Sequence, residues 1–226
     1  MSLKNKVILI TGSSKGIGKE TAIAFAKENA IVIITYNTNK EGATDSKKQC
    51  LASGATDAFA VSLDVTNSRS IKSAVREIIK KYKKIDFLIN NSGVICWDEF
   101  KDQDFKIIES QVRTNLEGLI KMTSACIHYI TEGIINISSG AGKTPYSDLT
   151  VYCATKYGVR GFTQSLAPAY PSLLIASVNP HMTSTQMTNF KGISPSKVAS
   201  VILKTAKKEI KPDKCSDVDV WEYINT

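Results

Sequence analysis

Short apolar runs of strand length alternate with longer stretches of helical period along this chain. The first four runs cover residues 7–11, 31–36, 58–63 and 87–90, and a helical stretch follows each of the first three. The runs are nearly all Val, Ile and Leu without polar alternation, which is typical of strands that are covered on both faces. The pattern therefore predicts an α/β fold, a doubly wound parallel sheet with helices on both faces.

The second half of the chain continues the same pattern. We expect helices around 105–128, from about 151 to 166 and after Pro195, and strands at 134–138, 173–179 and near 218–221. No linker rich in Gly, Ser or Pro divides the chain, so residues 1–226 are expected to form one domain.

The composition is that of an ordinary globular protein. The chain has 226 residues, 42% of them hydrophobic, and a formal net charge of +8. The surplus of positive charge lies in helix-like segments without interleaved aromatic residues, so we expect no nucleic-acid partner, although binding driven by the +8 charge stays open as an alternative. The longest uncharged stretch, 161–190, contains three prolines and many polar residues, so we expect no membrane span.

The amino end and the cysteines bear on location and metal binding. The first strand follows the amino end without the long apolar stretch of a signal peptide, and we expect a cytoplasmic protein. The five cysteines are far apart and form no Cys-x-x-Cys pair. Free thiols and no metal site are therefore expected.

A glycine-rich turn joins the first strand to the first helix. Residues 11–18 read Thr-Gly-Ser-Ser-Lys-Gly-Ile-Gly. Gly12 suits a tight turn with positive φ, Gly16 allows the backbone to approach a phosphate, and Gly18 allows the helix to pack close to the strand. In a doubly wound sheet this is where the pyrophosphate of a dinucleotide binds, although a simple strand-to-helix connection is the alternative.

Tyr152 and Lys156 are four residues apart and therefore share one face of the predicted helix. A neighbouring ammonium favours the phenolate, which is a physical means of bringing a Tyr with a pKa near 10 into working range. The alternative is an ordinary surface pair.

Taken together, these segments resemble the short-chain dehydrogenase/reductase family, in its compact branch similar to 3-oxoacyl-carrier-protein reductases. The resemblance rests on residues 11–18, on Asn-Asn-Ser-Gly at 90–93, Asn-Leu-Glu-Gly at 115–118, Ile-Ser-Ser at 137–139, and Tyr-x-x-x-Lys at 152–156. It implies a Rossmann-type fold and an NAD(P)-dependent oxidoreductase that interconverts a carbonyl and a secondary alcohol in a small-molecule substrate, acting as a reductase. A homodimer or homotetramer is implied as well.

The resemblance also implies the catalytic residues. Tyr152 would be the general acid/base, and Lys156 would lower its pKa and hold the nicotinamide ribose. Ser139 would hydrogen-bond the substrate oxygen, and it keeps the family spacing of thirteen residues before Tyr152. Asn115 would interrupt its helix and support a water chain to Lys156. The alternatives for Ser139 and Asn115 are a turn residue and a cap.

A larger set would line the cofactor cleft. Asp64 would contact adenine, although an Asp after a strand also suits a turn. The full set implied is Gly12, Ser14, Lys15, Gly16, Ile17, Gly18, Tyr36, Asp64, Val65, Asn91, Gly93, Tyr152, Lys156, Pro180, Thr183 and Thr185.

The end of the second strand favours NADP over NAD, with NAD still possible. NAD enzymes place an acidic residue there to bind the ribose hydroxyls, and such a carboxylate repels a 2′-phosphate. Here the strand ends in Thr-Tyr-Asn at 35–37, and Lys15 in the glycine loop is expected near the 2′-phosphate.

Several departures from the family affect the site. Asn29 replaces the glycine that usually ends the first helix, a mild change because Asn tolerates the left-handed conformation. The connection between Thr185 and Pro195 is short, so the substrate side is expected to be open. His181 replaces a glycine near the cofactor; its side chain either contacts substrate or is solvated. Residues 215–226 lack the family's glycine-rich end, which leaves the assembly state open.

Two questions remain open at this point. Trp97 and Phe100 either line the substrate entrance or cap the core. The alternative to an enzyme is a catalytically weak relative that senses nucleotide or acts as a scaffold, although Ser139, Tyr152 and Lys156 are all present.

Overall fold

The computed structural model describes residues 1–224 and contains a seven-stranded parallel sheet with the strand order β3-β2-β1-β4-β5-β6-β7. The predicted doubly wound α/β fold is confirmed. The strands are β1 Val7–Ile10, β2 Ile31–Tyr36, β3 Asp57–Ser62, β4 Ile85–Asn90, β5 Ile130–Ile137, β6 Leu174–Asn179 and β7 Asp217–Asp219. The helices are α1 Gly16–Lys27, α2 Lys40–Ala52, α3 Ser68–Tyr82, α4 Phe105–Val112, α5 Gly118–Cys126, α6 Thr150–Ala169 and α7 Pro195–Ala206.

Alternate residues of β1 enter two separate apolar cores. In β1, Ile8 and Ile10 pack with Phe25 of α1, whereas Leu9 packs with Ile78 of α3 on the opposite face. All five side chains are at most 1% exposed. This two-sided burial explains why the strands carry apolar residues without polar alternation.

The predicted helix at 105–128 is divided. A π-helical turn, Arg113–Glu117, separates α4 from α5, and a short 3₁₀ turn follows α5. The expectation for Asn29 is met: its φ is +59° and its N–H donates to Ala26 O, which ends α1.

The order of the strands creates a crevice at one edge of the sheet. From β1 the chain proceeds to β2 and β3 on one side, then returns to place β4 on the other side of β1. The connections after β1 and β4 therefore diverge, and ligands of doubly wound sheets bind in the opening between them. Within residues 1–224, no helix is both long and apolar enough to cross a membrane.

Asp86 ties three strands together at the opposite, amino-terminal edge. Its carboxylate is fully buried and accepts hydrogen bonds from the Val7 N–H of β1 at 2.7 Å and from the Thr131 hydroxyl of β5 at 2.7 Å. Lys84 donates to the same carboxylate at 2.9 Å. Burial alone would raise the pKa of Asp86, but these donors outweigh it and hold the pKa below its ordinary value.

We expect Asp86→Asn to lower the free energy of unfolding by about 2 kcal/mol at pH 7, because hydrogen bonds to charged groups contribute about 1.5–3 kcal/mol. The folded-state pKa is lowered, so this stabilisation is present at neutral pH and disappears as the pH falls through the Asp range. Urea denaturation at pH 7 and pH 3 measures both effects. As a control, Asp45→Asn removes an exposed partner of Lys19 and should leave stability unchanged. Equal stability of Asp86→Asn and wild type at pH 7 would contradict the assignment.

Candidate active site

The glycine loop adopts the conformation that its sequence requires. Gly12 and Gly16 have φ values of +64° and +58°, in the region that favours glycine. A Cβ on Gly18 would lie 2.5 Å from Gly12 O, so only glycine lets α1 pack this closely against the loop. The loop is thus shaped as a backbone cradle at the start of a helix.

Two buried hydroxyl groups fix the loop, and sequence reasoning missed both. The Thr35 side chain accepts the Gly12 N–H at 3.0 Å, and the Thr35 N–H donates to the Ser13 hydroxyl oxygen at 2.9 Å. Ser13 in turn donates to Ile10 O at 2.8 Å. Because Ser13 and Thr35 are 22 residues apart, their pairing appears only once β1 and β2 are aligned.

The N-terminus of α1 has no side-chain cap. Lys15 occupies the N-cap position in an extended conformation, and no side chain accepts a hydrogen bond from the first turn. The first N–H groups of a helix attract an anion, so this end suits a phosphate. Ser14 is buried, and Ile17 packs against the core beneath the loop.

Asn91, after β4, joins the opposite wall of the crevice to the glycine loop. Its side-chain amide donates to Thr11 O at 2.9 Å and Gly12 O at 3.2 Å. The Thr11 hydroxyl accepts the N–H groups of Asn91 and Ser92 at 2.8 and 2.9 Å. The carboxyl ends of β1 and β4 are thereby held together.

Asn115 lies in the π-helical turn, and its side chain contacts the loop after β4. Its side chain accepts the Val94 N–H at 2.8 Å and donates to Val94 O at 2.8 Å and to the Thr155 hydroxyl at 3.2 Å. A Cβ on Gly93 would lie 3.3 Å from Asn115 Oδ1 and 3.8 Å from Lys156 Nζ. Asn115 therefore links the loop after β4 to α6, and the predicted interruption of the helix is present. π-helical turns of this kind occur frequently at functional sites.

Ser139, Tyr152 and Lys156 meet where β5 ends and α6 begins. Ser139 precedes the short turn Gly140–Gly142, and its hydroxyl accepts the Ala141 N–H at 3.1 Å. Lys156 Nζ donates to Ile137 O at 2.9 Å and lies 5.5 Å from the centre of the Tyr152 ring. The structure therefore brings the three predicted residues together on one side of the crevice.

Burial controls the acidity of both ionisable groups. It raises the pKa of the Tyr152 phenol to about 12, and a hydrogen bond with Ser139 acts in the opposite direction. It lowers the pKa of the Lys156 ammonium to about 8. The expected lowering of the Tyr152 pKa by Lys156 is therefore corrected, because burial dominates at this distance. At neutral pH the Tyr152 phenol is therefore protonated.

One side of the crevice is formed by the ends of β2 and β3. Tyr36 ends β2 and is half-buried, and no carboxylate follows it before Asn39. The Asp64 carboxylate accepts the Thr66 N–H at 2.9 Å and the Thr66 hydroxyl at 2.7 Å. Asp64 thus makes the turn that was its alternative role, and its contact with adenine stays a prediction. Val65 is buried behind it.

The segment after β6 completes the crevice. Pro180 O accepts the Gly140 N–H at 2.8 Å, and the buried Thr183 donates to His181 O at 2.8 Å. A Cβ on Gly16 would lie 3.3 Å from Thr185 Cγ2, so Thr185 lies against the glycine loop.

The short connection after Thr185 reaches across the crevice, which corrects the expectation of an open substrate side. It forms a 3₁₀ turn, Gln186–Thr188. Lys15 Nζ donates to Gln186 Oε1 at 2.7 Å, and the Trp97 indole N–H donates to Met187 O at 3.1 Å. The turn is thus bound on one side by Lys15 of the glycine loop and on the other side by Trp97, in the loop after β4.

These contacts bear on the two aromatic residues and on His181. Trp97 is 44% exposed and Phe100 59% exposed, so neither caps the core, and Trp97 lies at the entrance. His181 stacks on Trp221, an arrangement that neither of its expected roles included. The Lys15 ammonium lies on Gln186 Oε1 at 2.7 Å, and its contact with a 2′-phosphate stays a prediction.

Comparisons with known proteins identify the family of the chain. The model of the short chain dehydrogenase family matches residues 6–194. A 3-oxoacyl-[acyl-carrier-protein] reductase of Thermotoga maritima is 33% identical over 83% of this chain and 78% of its own length. The enzyme of the same name from Staphylococcus aureus is 30% identical over 81% of this chain and 77% of its own length.

Solved structures share the fold. A short chain dehydrogenase from Shigella flexneri, solved in complex with NADP, has a TM-score of 0.89 at 21% identity and covers 97% of this chain and 99% of its own. A dehydrogenase/reductase from Sinorhizobium meliloti has a TM-score of 0.88 at 22% identity over 96% of this chain and 94% of its own. Since the family model matches most of the chain and the relatives match it over most of their length, the protein belongs to the short-chain dehydrogenase/reductase family.

Proposed function

We propose that this protein is an NADPH-dependent reductase that converts a carbonyl compound to a secondary alcohol. The observation that carries the proposal is the group formed by the Ser139 hydroxyl, the protonated Tyr152 phenol and the buried Lys156 ammonium at the carboxyl edge of the sheet. It supplies two hydroxyl donors and a cation where a carbonyl oxygen would acquire negative charge.

The crevice fits a dinucleotide. Gly12 and Gly16 hold the left-handed conformations of a phosphate cradle, and the first turn of α1 has no side-chain cap. When bound, the reduced nicotinamide supplies the hydride. We propose that the glycine loop binds the pyrophosphate, and that Asn91, Gly93, Pro180, Thr183 and Thr185 line the remainder of the cleft.

The protein's own residues carry the proton. The Ser139 and Tyr152 hydroxyls donate hydrogen bonds to the carbonyl oxygen, and the Tyr152 proton passes to that oxygen as the alkoxide forms. Lys156 Nζ lies 5.5 Å from the centre of the Tyr152 ring, where its ammonium can return a proton to the phenolate that remains, and Asn115 holds the wall behind it through Val94 and Thr155.

NADPH is the proposed cofactor for two reasons. The end of β2 offers no carboxylate to repel a 2′-phosphate, and the Shigella flexneri structure contains NADP. The curated relatives are named as 3-oxoacyl-carrier-protein reductases, so thioester-linked β-keto acids belong in the assay beside ketones and quinones. A nucleotide sensor or scaffold remains the alternative; it would bind NADPH and oxidise it with no substrate of this panel.

The proposal extends to organisation and location. All seven strands are hydrogen-bonded into one sheet, with β3 and β7 at its edges, which supports one dinucleotide-binding and catalytic domain. The five free thiols suit the reducing cytoplasm. On α4, Phe105 is 89% exposed and Val112 is 41% exposed, which supports a homodimer or homotetramer that light scattering would identify.

Tyr152→Phe should lower kcat at least about a hundredfold and leave NADPH affinity unchanged, because it removes the proton donor and keeps the ring. Steady-state kinetics and NADPH titration measure the two quantities. Tyr157→Phe is the matched control, since Tyr157 is an exposed residue of the same helix that donates to Lys143 O. Retention of more than a few per cent of wild-type kcat by Tyr152→Phe would show that another group donates the proton.

Lys15→Ala should raise the KM for NADPH about tenfold and leave that for NADH unchanged, because a hydrogen bond to a charged group contributes about 1.5–3 kcal/mol. Gln186→Ala is the control: it removes the acceptor that Lys15 uses here and keeps the cation. The prediction fails if Lys15→Ala leaves the ratio of the two KM values as in wild type, or if Gln186→Ala changes that ratio equally.

Trp97→Ala should improve kcat/KM for bulky ketones relative to small ones, because the indole narrows the entrance by bridging to Met187. Trp97→Phe removes the indole N–H but keeps an aromatic ring. It therefore shows whether the substrate profile depends on the hydrogen bond to Met187 or on the size of the side chain. A substrate profile identical in Trp97→Ala and wild type would place Trp97 outside the substrate path.

A further inference from the structure

The imidazole of His181 lies between the residue after Ser139 and the carboxyl-terminal segment. Its ring stacks on Trp221 with a centroid separation of 4.1 Å and an angle of 30° between the planes. On the other side, a Cβ on Gly140 would lie 2.8 Å from His181 Nδ1 and 3.2 Å from Cε1. The ring therefore occupies the space that the missing side chain of Gly140 leaves.

The backbone of His181 is unstrained, since its φ is not in the left-handed region. Replacing the family's glycine with His181 therefore imposes no left-handed backbone strain on the loop. The consequence of the replacement lies in the contacts of the new ring with Gly140 and Trp221.

The segment that precedes Trp221 is held against the catalytic elements by ion pairs and hydrogen bonds. Arg160, one turn beyond Lys156 on α6, pairs with the buried Asp217 through Nε at 3.0 and 3.1 Å. Asp219 pairs with Lys143 and accepts from the Asn179 amide at 2.8 Å. The short turn Val220–Glu222 that carries Trp221 follows directly after Asp219. These bonds attach the carboxyl-terminal segment to α6, β6 and the turn after Ser139.

The turn after Ser139 is held by several contacts, and the imidazole of His181 supplies one of them beside Gly140. Ser139 is extended and half-buried, and the following residues form only a single 3₁₀ turn, Gly140–Gly142. Pro180 O accepts the Gly140 N–H at 2.8 Å, so the segment that carries His181 is hydrogen-bonded to the first residue of this turn. The stacked imidazole then limits its sideways movement.

Resting on the proposed reductase function, we propose that Trp221 is a positioning residue: through His181 it holds the Ser139–Gly140 turn so that the Ser139 hydroxyl faces the same oxygen as Tyr152. A hydrogen-bond donor stabilises a developing oxyanion only when it is placed to within a fraction of an ångström, and a misplacement of about 1 Å can cost a hundredfold in rate. Neither Trp221 nor His181 needs to touch the substrate for this effect.

The kinetic test compares Trp221→Leu, Trp221→Phe and Glu222→Ala with the wild type. Trp221→Leu should lower kcat about tenfold with the KM for NADPH within about twofold, because the donor is displaced while the glycine loop is untouched. Trp221→Phe keeps a stacking ring and should restore most of the rate. Glu222→Ala, an exposed neighbour in the same turn, is the matched control and should behave as wild type. Wild-type kcat in Trp221→Leu would overturn the proposal.

A double-mutant cycle separates positioning from a general loss of structure. If Trp221 acts through Ser139, Trp221→Leu should cause no further loss of kcat in a Ser139→Ala background, which itself is expected to be about 10²–10³-fold slower. If the two losses of kcat multiply in the double mutant, Trp221 affects the rate by a route that does not involve Ser139. Should Trp221→Leu fail to fold, Gly140→Ala replaces it: its Cβ displaces the imidazole, so it should lower kcat in wild type and add nothing to His181→Gly.

Fluorescence tests the contact without any turnover. Trp97→Phe leaves Trp221 as the only tryptophan, and the imidazole of His181 covers one face of its indole. Adding His181→Gly uncovers that face and should increase quenching of the Trp221 emission by acrylamide at constant pH. Adding Glu222→Ala instead is the control and should leave the quenching unchanged.

The outcomes distinguish this inference from the proposed function. Equal acrylamide quenching with and without His181→Gly in the single-tryptophan variant would overturn the contact itself. The expected increase in quenching, together with a wild type that reduces nothing in the substrate panel, would count against the reductase and, with it, against a positioning role for Trp221.

Discussion

The parallel hydrogen bonding of the sheet is the constraint on which the candidate site depends. All of its strand pairs are parallel, so every strand ends at the same edge. The glycine loop, Asn91, Ser139 and Pro180 follow four different strands, and the alignment of those strands is what brings them together. Hydrogen bonds between these loops, such as Asn91 with Gly12 O and Gly140 with Pro180 O, then fix the loops relative to one another.

A buried polar network below the site fixes α6 on the sheet. The Asn90 amide donates to Asn136 Oδ1 at 2.9 Å and to the Thr123 hydroxyl at 3.0 Å, and the Asn136 amide donates to the Thr163 hydroxyl at 2.9 Å. Such groups are costly in an apolar core unless they are paired, so the network penalises any other register of these elements. Since Thr163 is on the helix that carries Tyr152 and Lys156, the network also fixes where those two side chains lie.

The sequence was sufficient for features that depend on local pattern. Apolar runs gave the strands to within a few residues, the glycines at 12, 16 and 18 gave the loop, and the four-residue spacing placed Tyr152 and Lys156 on one face. Features that depend on distant partners were not accessible. The hydroxyls of Ser13 and Thr35 become a pair only when two strands align, and the partners of the Asn115 side chain, Val94 and Thr155, are evident only once the loop after β4 meets α6.

The same limit explains two errors and one surprise. Loop length alone suggested an open substrate side, yet a turn of only three residues crosses the opening because Lys15 and Trp97 reach out to it. A charge beside Tyr152 suggested a lowered pKa, but the sequence does not reveal how deeply the pair is buried. The partner of His181 is 40 positions away, in a segment whose sequence gave no reason to expect contact with the site.

Burial of the Tyr–Lys pair has a consequence for the direction of the proton. With a pKa of about 8, the Lys156 ammonium is a stronger acid than the Tyr152 phenol, whose pKa is about 12. A phenolate left after Tyr152 has donated its proton would therefore be reprotonated by Lys156 in a favourable step. Deprotonation of Tyr152 before hydride transfer, which oxidation of an alcohol requires, is unfavourable at neutral pH in the same environment. Burial thus favours the protonated phenol, which is the state of Tyr152 that the proposed reduction of a carbonyl requires.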